Sequence, residues 1–276
     1  MRSTLILIFC VFFLNISKVF SQNNDKEIHV KKTFIPVKLD GNLDDEAWKM
    51  ADLATSFFQN APFDTSFAKN QTEVRLTFDD KFLYVGMKAY QPKNAYTVSS
   101  LKRDFESGSS DVFSVTIDAF KDKLNGMQFS VSPLNVQREG LISLGTESDY
   151  SWDNKWYSKV KNYDEYWTAE FAIPFTTLRY KVSENSNSWR INFGRFFMQT
   201  NESATWSPVP RNFKPNNLAF TGLLIWDDAP PKPGANISLI PYLSANYSKD
   251  FPRNENLEAL KPDGRTKLGA GLDAKI

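Results

Sequence analysis

The sequence is almost without cysteine and histidine. Among 276 residues Cys10 is the single cysteine and His29 the single histidine. Cys10 sits in an apolar N-terminal run, so the chain beyond it carries neither disulfides nor thiolate chemistry. Triads with an imidazole base and His-rich metal centres cannot be assembled from such a chain. P-loop and dinucleotide glycine fingerprints are missing as well. An excess of one charge is also lacking: 33 Lys and Arg face 32 Asp and Glu, for a formal net charge of +1. No bulk field draws polyanions, so no nucleic-acid partner is expected, and no cofactor is indicated. Finally, the longest apolar run, residues 5–14, falls short of the roughly 20 residues a spanning helix needs. A helical membrane protein is excluded.

What is present begins with Arg2, that apolar run, and Val19-Phe20-Ser21 before Gln22. This pattern is a secretory signal peptide over residues 1–21, cleaved after Ser21, and it makes the protein an exported one. The whole chain is 41% hydrophobic and rich in aromatics, with 23 Phe, 10 Tyr and 7 Trp. Such a composition fills a core and favours strands over helical bundles.

Apolar residues alternate with a period of two through most of the chain. Phe34 to Leu39 reads as an edge strand, followed by a turn at Asp40-Gly41 and a short helix capped by Asp44, with Trp48 plugging one end of the core. Val74 to Phe78 and Leu83 to Ala89 make a hairpin across Asp79-Asp80-Lys81. Phe113 to Ala119 and Met127 to Val131 make another across Asn125-Gly126. Trp167 to Ile173 forms a strand ending in a helical turn around Phe175 and Leu178, and Ile191 and Phe193 continue the pattern. Residues 28–226 therefore read as an all-β, antiparallel β-sandwich with short capping helices.

Residues 227–234, Asp-Asp-Ala-Pro-Pro-Lys-Pro-Gly, break the pattern as a stiff linker. Beyond them, in residues 235–276, Ile237 to Tyr247 and Leu268 to Ile276 alternate again, as two strands of about ten residues with one apolar face. They fit the first strands of a transmembrane barrel, and two strands cannot close one, so the barrel reading makes the chain truncated. An edge hairpin added to the sandwich is the alternative.

Carboxylates are the acid–base groups left. A glycosidase pair would need two of them facing one sugar across about 5–9 Å. The run Asp40-x-Asn42-x-Asp44 resembles a calcium loop, yet Asp45 and Ala51 stand where Gly and a bidentate Glu are required, so it reads as a turn and cap. Asp118, Asp122 and Asn125, or Asp149 and Asp153, could supply oxygens to a structural calcium ion, although solvated loop charges account for them better.

The tryptophans divide by context. Trp48, Trp167 and Trp189 sit in apolar periodicity and belong to the core, and Trp226 ends a strand, covering the sandwich edge. Trp152 and Trp156 lie in the polar segment Asp149-Tyr150-Ser151-Trp152-Asp153-Asn154-Lys155-Trp156, and Trp206 follows a strand. Flat aromatic faces flanked by amides and charges suit sugar rings. Trp152, Trp156 and Trp206 are thus candidate stacking platforms, with Arg103, Asp111, Asp153 and Asn154 as hydroxyl partners. The competing reading has all three tryptophans closing the sandwich over loops.

Taken in order, residues 39–48 (LDGNLDDEAW), 79–86 (DDKFLYVG), 110–118 (SDVFSVTID) and 167–175 (WTAEFAIPF) resemble the family 9 carbohydrate-binding modules, over roughly residues 33–226. The full layout is similar to exported Bacteroidota proteins whose sandwich precedes an outer-membrane barrel. The resemblance implies a polysaccharide or oligosaccharide partner in glycan utilisation, and a location at the periplasmic face of the outer membrane. Members of this family clamp a terminal sugar between two tryptophans, whereas the stretch before Asp111 offers Arg103 and Phe105 and no Trp. Two other functions follow from the same residues: a structural or gating domain beneath a barrel, and a carboxylate-dependent glycosidase.

Overall fold

The computed structural model describes residues 25–276 apart from 94, 107, 181–186, 233–237, 257, 260 and 276. The expected signal peptide, the end of the Pro-rich linker and the start of the C-terminal segment lie outside the described residues.

Alternating patterns become two packed sheets. The first, sheet A, runs in the order β9 (Glu147–Asp149), β8 (Gln137–Ser143), β7 (Gly126–Val131), β6 (Val112–Asp118), β12 (Ser188–Phe197), β14 (Gly222–Trp226) and β1 (Glu27–Lys32). Past the end of β14, the outer half of β12 pairs instead with β13 (Glu202–Thr205), which pairs with β3 (Phe58–Ala61). Sheet B runs β10 (Tyr157–Asn162), β11 (Tyr166–Pro174), β5 (Phe82–Tyr90) and β4 (Thr72–Phe78), with β2 (Leu53–Ala54) beside β4. Strand β1 belongs to both sheets. Its Glu27–Val30 segment pairs parallel with β14, and Lys31 and Lys32 pair parallel with Thr77 and Phe78 of β4. The β-sandwich reading of the sequence holds.

Between the sheets lies an aromatic layer. Phe113 of β6 stacks on Phe193 of β12 at 6.3 Å and meets Phe171 of β11 edge-on at 5.8 Å. Trp156 lies flat on Phe171 with centroids 5.3 Å apart, and Phe129 meets it edge-on. At the other end Trp226 packs edge-on against Phe78 and Trp189 at 4.9 and 4.7 Å. Fully burying each such side chain contributes roughly 1.5–3 kcal/mol, so this layer dominates the stability of the sandwich.

Four local expectations change. Phe34 to Leu39 forms no strand, because β1 already occupies the edge of β4 that it would need. Val37 and Leu39 instead cover the outer face of sheet B around Trp48, Tyr84 and Ala172. The short helix α1 (Glu46–Met50) starts from Asp45, whose carboxylate accepts from Lys38 N at 2.8 Å rather than from the helix. The turn between β6 and β7 spans residues 119–125 with Lys121 and Lys123 at positive φ, drawn inward because buried Asp118 accepts from Phe120 and Lys123 N–H. Trp226 is 1% exposed and lies within the core rather than over its edge.

Glu170 of β11 closes one end of the fold. Its carboxylate is buried and accepts from Asp40 N–H at 2.8 Å, Gly41 N–H at 2.7 Å and the Trp48 indole at 3.0 Å. Gly41 has φ +87°, and a Cβ there would meet Val160 and Lys161 at 3.1 Å, so the turn admits glycine only. One acid thereby anchors both the turn and the tryptophan plug.

C-terminal to the sandwich, β15 (Ser238–Asp250) and β16 (Asp263–Lys275) form an antiparallel hairpin paired over 13 positions. These strands are longer than the expected ten residues, and among the described residues they pair with no third strand.

Replacing Glu170 with alanine strands three donors, two of them buried, and urea unfolding should show a loss on the order of 3 kcal/mol. Burial holds the Glu170 carboxyl above its ordinary value despite those bonds. A carboxyl raised in the folded state stabilises it most below the unfolded value and loses that contribution as pH rises through the folded one. The gap between wild type and Glu170→Ala should therefore narrow from pH about 4 towards neutrality. A gap that widens over that range would contradict this account.

Candidate functional site

At the centre of sheet A several outward side chains are small or neutral: Ser114 and Thr116 on β6, Gln128 on β7, Asn192 and Gly194 on β12. Exposed sheet faces ordinarily carry charged residues, but all of β6 and β7 is buried on both sides. The reason is a rim. The edge strand β9, with Thr146 and Tyr150 at its ends, borders one side and the segment Lys214 to Asn216 another, leaving a cleft of about 610 Å³ between them. That volume is within the usual range of small-ligand sites, about 300–1,000 Å³.

Hydrogen bonds within the cleft fix its lining. The Ser114 and Ser130 hydroxyls share a bond at 2.8 Å, and Gln128 Nε2 donates to Thr116 Oγ1 at 3.4 Å. Tyr150 OH donates to Gln128 Oε1 at 3.1 Å. Asn216 Nδ2 reaches Ser148 Oγ at 2.8 Å, joining the two rim segments, and Lys214 pairs with Glu147 at 3.2 Å. Asn192 is committed to the fold, accepting from Ser207 and Phe193 N–H and donating to Ser207 O.

Arg138 of β8 extends into the cleft with its guanidinium 4.4 Å from the Tyr150 ring centroid and 5.2 Å from that of Phe105. It donates to Phe105 O at 3.1 Å. Burial draws its pKa below the ordinary arginine value, yet at any neutral pH the group remains cationic. Gly194 leaves room in the floor, since a Cβ there would approach only Ala204 O at 4.0 Å. Among the described lining residues Glu147 is the single carboxylate, and no tryptophan takes part; the flat side chains are Tyr150 and Phe196.

The residues singled out from sequence lie elsewhere. Arg103, Asp153, Asn154 and Trp156 do converge, but around Glu139 of β8 rather than in the cleft. Glu139 is 1% exposed and accepts from the Trp156 indole at 3.0 Å and from Arg103. Arg103 also bonds Gln137 Oε1 at 2.9 Å and lies 3.5 Å from both Asp153 Oδ1 and the Asn154 carbonyl. Burial holds Glu139 above the ordinary carboxylate range even against these donors. Trp156 is 4% exposed, so neither of its faces is open to a sugar; the core tryptophan reading applies to it. Trp152 is half-buried against Phe129 at 6.1 Å.

Trp206 is likewise a core residue, packed on Phe193 at 5.5 Å and so close over Gly222 that a Cβ there would lie 2.7 Å from its ring. Asp111 is buried and spends both oxygens on backbone, accepting from Thr97 N–H and from Met198 N–H at 2.8 Å. The oxygens considered for calcium are similarly engaged. Asp122 accepts from Leu124, Asn125 N–H and the Asn125 amide, and Asp149 from Ser151.

Sequence reasoning missed the cleft because its residues are unremarkable one by one. Its signal is collective: the central outward positions of β6 and β7 are Ser114, Thr116, Gln128 and Ser130, where the outward positions of β4 and β5 include Glu73, Arg75 and Lys88.

Solved structures with the same fold agree with this description. A family 9 carbohydrate-binding module from Caldicellulosiruptor kristjanssonii in complex with cellotriose aligns over 76% of this chain and 96% of its own, with TM-score 0.53 and 15% identity. The same module in complex with glucose gives TM-score 0.53, 15% identity, and coverage of 76% and 100%. A protein of Bacteroides uniformis ATCC 8492 proposed to bind carbohydrate gives TM-score 0.57, 13% identity, and coverage of 74% and 100%. At such identities the likeness establishes the fold alone. No curated protein matches the sequence. The model of the carbohydrate family 9 binding domain-like family matches residues 39–205, more than half of the chain, and with the sandwich just described it shows that this protein belongs to that family.

Proposed function

We propose that the cleft on the outer face of sheet A binds a neutral saccharide without cleaving it. The observation that carries this reading is the lining itself: hydroxyls and amides locked by their own hydrogen bonds beside one tyrosine ring and two arginines, Arg138 and Arg195. Sugar hydroxyls both donate and accept, so mixed neutral partners suit them, while Tyr150 offers an apolar surface to ring C–H groups. Glycoside cleavage needs two opposed carboxyl groups, and among the described cleft residues Glu147 stands alone and ion-paired. The glucose and cellotriose held by the Caldicellulosiruptor module support a saccharide as the ligand class.

The export signal in the sequence sets this binding in an exported protein of glycan utilisation. The hairpin favours a second component of the reading, a continuation into an outer-membrane barrel. Its register places Leu239, Pro241, Leu243, Ala245 and Tyr247 opposite Ala274, Leu272, Ala270, Leu268 and Thr266, all on one face. The other face carries Ile240 and Tyr242 together with Ser244, Asn246, Arg265, Lys267 and Asp273. Leu243 and Leu268 are 89% and 81% exposed, an arrangement that water does not favour. Nine residues from Leu239 to Tyr247 span roughly 30 Å of strand, or about 21 Å of depth at a tilt near 45°, close to the apolar band of about 25 Å on membrane barrels. On this reading the sandwich lies at the periplasmic face of the outer membrane.

Two measurements test these statements. Gly194→Trp fills the cleft floor without disturbing a packed neighbour, and calorimetric titration with cellotriose should show affinity reduced at least about tenfold with melting temperature little changed. Unaltered affinity in a folded variant would remove the cleft from recognition. For the hairpin, the Leu243→Arg, Leu268→Arg double variant should lose co-sedimentation with phosphatidylcholine vesicles, each arginine costing up to about 2–4 kcal/mol at full depth. Asn246→Arg, on the polar face, should retain it; equal behaviour of the two would refute the membrane-facing assignment.

A further inference from the structure

Sheet B carries a second depression on the opposite side of the sandwich. Its outer face is only partly covered. The segment from Val37 to Trp48 packs over one end, where Leu43 and Trp48 lie against Gly86 so closely that a Cβ there would meet them at 2.9 and 3.1 Å. Beside that cover the face is open, leaving a pocket of about 360 Å³ between the turn at Asn42 to Asp44 and the strands β4, β5 and β11.

Three features make this more than a solvated sheet face. Tyr163 and Tyr166 stack with centroids 4.5 Å apart, forming an apolar wall, and Tyr163 is held there by its hydroxyl bond to Asn42 Oδ1 at 2.9 Å. Lys88 Nζ sits 4.1 Å from the Tyr166 centroid and 4.7 Å from that of Tyr90, a position fixed by ring faces rather than by an acid. Among the described residues Lys88 forms no ion pair within 4 Å, and Asp44 makes no side-chain hydrogen bond. Glu73, opposite Lys88 in the β4–β5 register, takes one bond from Tyr90 OH at 3.0 Å and keeps its second oxygen. Donors and acceptors of both signs thus line one small cavity beside an aromatic wall.

That mixture decides the ligand class. An anion or a cation would be opposed by Asp44 and Glu73 or by Lys88 and Arg75, respectively. A hydroxyl-rich neutral ligand satisfies both kinds at once and places its C–H groups on the tyrosines. We infer that the outer face of sheet B holds a second saccharide site, centred on Lys88, Glu73, Asp44 and the Tyr163–Tyr166 stack, so that one sandwich carries two sugar sites on opposite faces. A bivalent module of this kind engages a polymeric glycan with an avidity beyond either site alone.

The full chain, its Gly194→Trp variant, a Lys88→Ala variant and the double variant are titrated calorimetrically with cellotriose and applied to an array of neutral oligosaccharides. Two sites per chain are expected in the wild type, one in each single variant and none in the double variant. Glu73→Gln should weaken the second site at least about tenfold, which guards against a folding defect particular to Lys88→Ala. If Gly194→Trp alone abolishes all binding, the second site is refuted and the cleft stands. If binding persists in Gly194→Trp and is lost in Lys88→Ala, the cleft reading fails and the second site stands. A folded wild type that binds nothing on the array refutes both.

Discussion

The central strands β6 and β7 of sheet A are buried on both faces, and the rest of the structure is organised by that constraint. Their inner face meets the aromatic layer of sheet B, and their outer face is enclosed by the rim, so they have no solvent-facing side. A polar side chain on such a strand must find a partner inside the protein or impose a cost of a few kcal/mol. The outward positions meet this condition by bonding one another, as Ser114 does with Ser130 and Tyr150 with Gln128. The same bonds hold the cleft in one shape before any ligand arrives, which reduces the ordering a ligand must impose.

Loops that roof a sheet must themselves be fastened, and the chain uses buried carboxylates for this. Glu170 holds the Asp40–Gly41 turn, Asp111 joins the Thr97 and Met198 backbones, Asp118 shapes the β6–β7 turn, and Glu139 ties the Arg103 loop to Trp156. Burial raises the pKa of all four. Each is thus a compromise in which several short bonds from N–H groups offset desolvation of a charge. This explains why residues with the composition of a binding site, Arg103, Asp111 and Trp156 among them, serve the scaffold. Indole, guanidinium and carboxylate recognise each other within a protein by the same geometry they offer to a ligand.

The two outer faces of the sandwich differ in chemistry. The cleft over sheet A sets neutral hydroxyls and amides beside Arg138, Arg195 and the Lys214–Glu147 pair in a roofed groove, while sheet B presents charges beside stacked tyrosines in an open one. The hairpin differs from both, with glycines at 269 and 271 that lie under Ser244 and Tyr242, where a Cβ would meet those side chains at 2.8 and 2.3 Å. Gly271 thereby allows an aromatic ring to lie across its strand and cover the exposed backbone, a device suited to a strand pair outside any core.

Alternation in the sequence determined most of the architecture. A period of two over Val74–Phe78, Leu83–Ala89, Phe113–Ile117 and Trp167–Ile173 can bury only one face against another sheet, and it named the inward core residues that the structure contains. The two-faced character of the hairpin was legible in the same way. Tertiary structure alone decided which aromatic and charged residues are spent on the scaffold. Trp156 looked exposed from its polar neighbours, but its ring direction depends on Phe171 and Glu139, both distant in sequence. The cleft was equally hidden, because its lining comes from β3, β6, β7, β8, β12, β13 and the two rim segments. No local pattern encodes the meeting of segments as far apart as Asn60 and Asn216; packing over a sheet does that, once burial of both faces demands it.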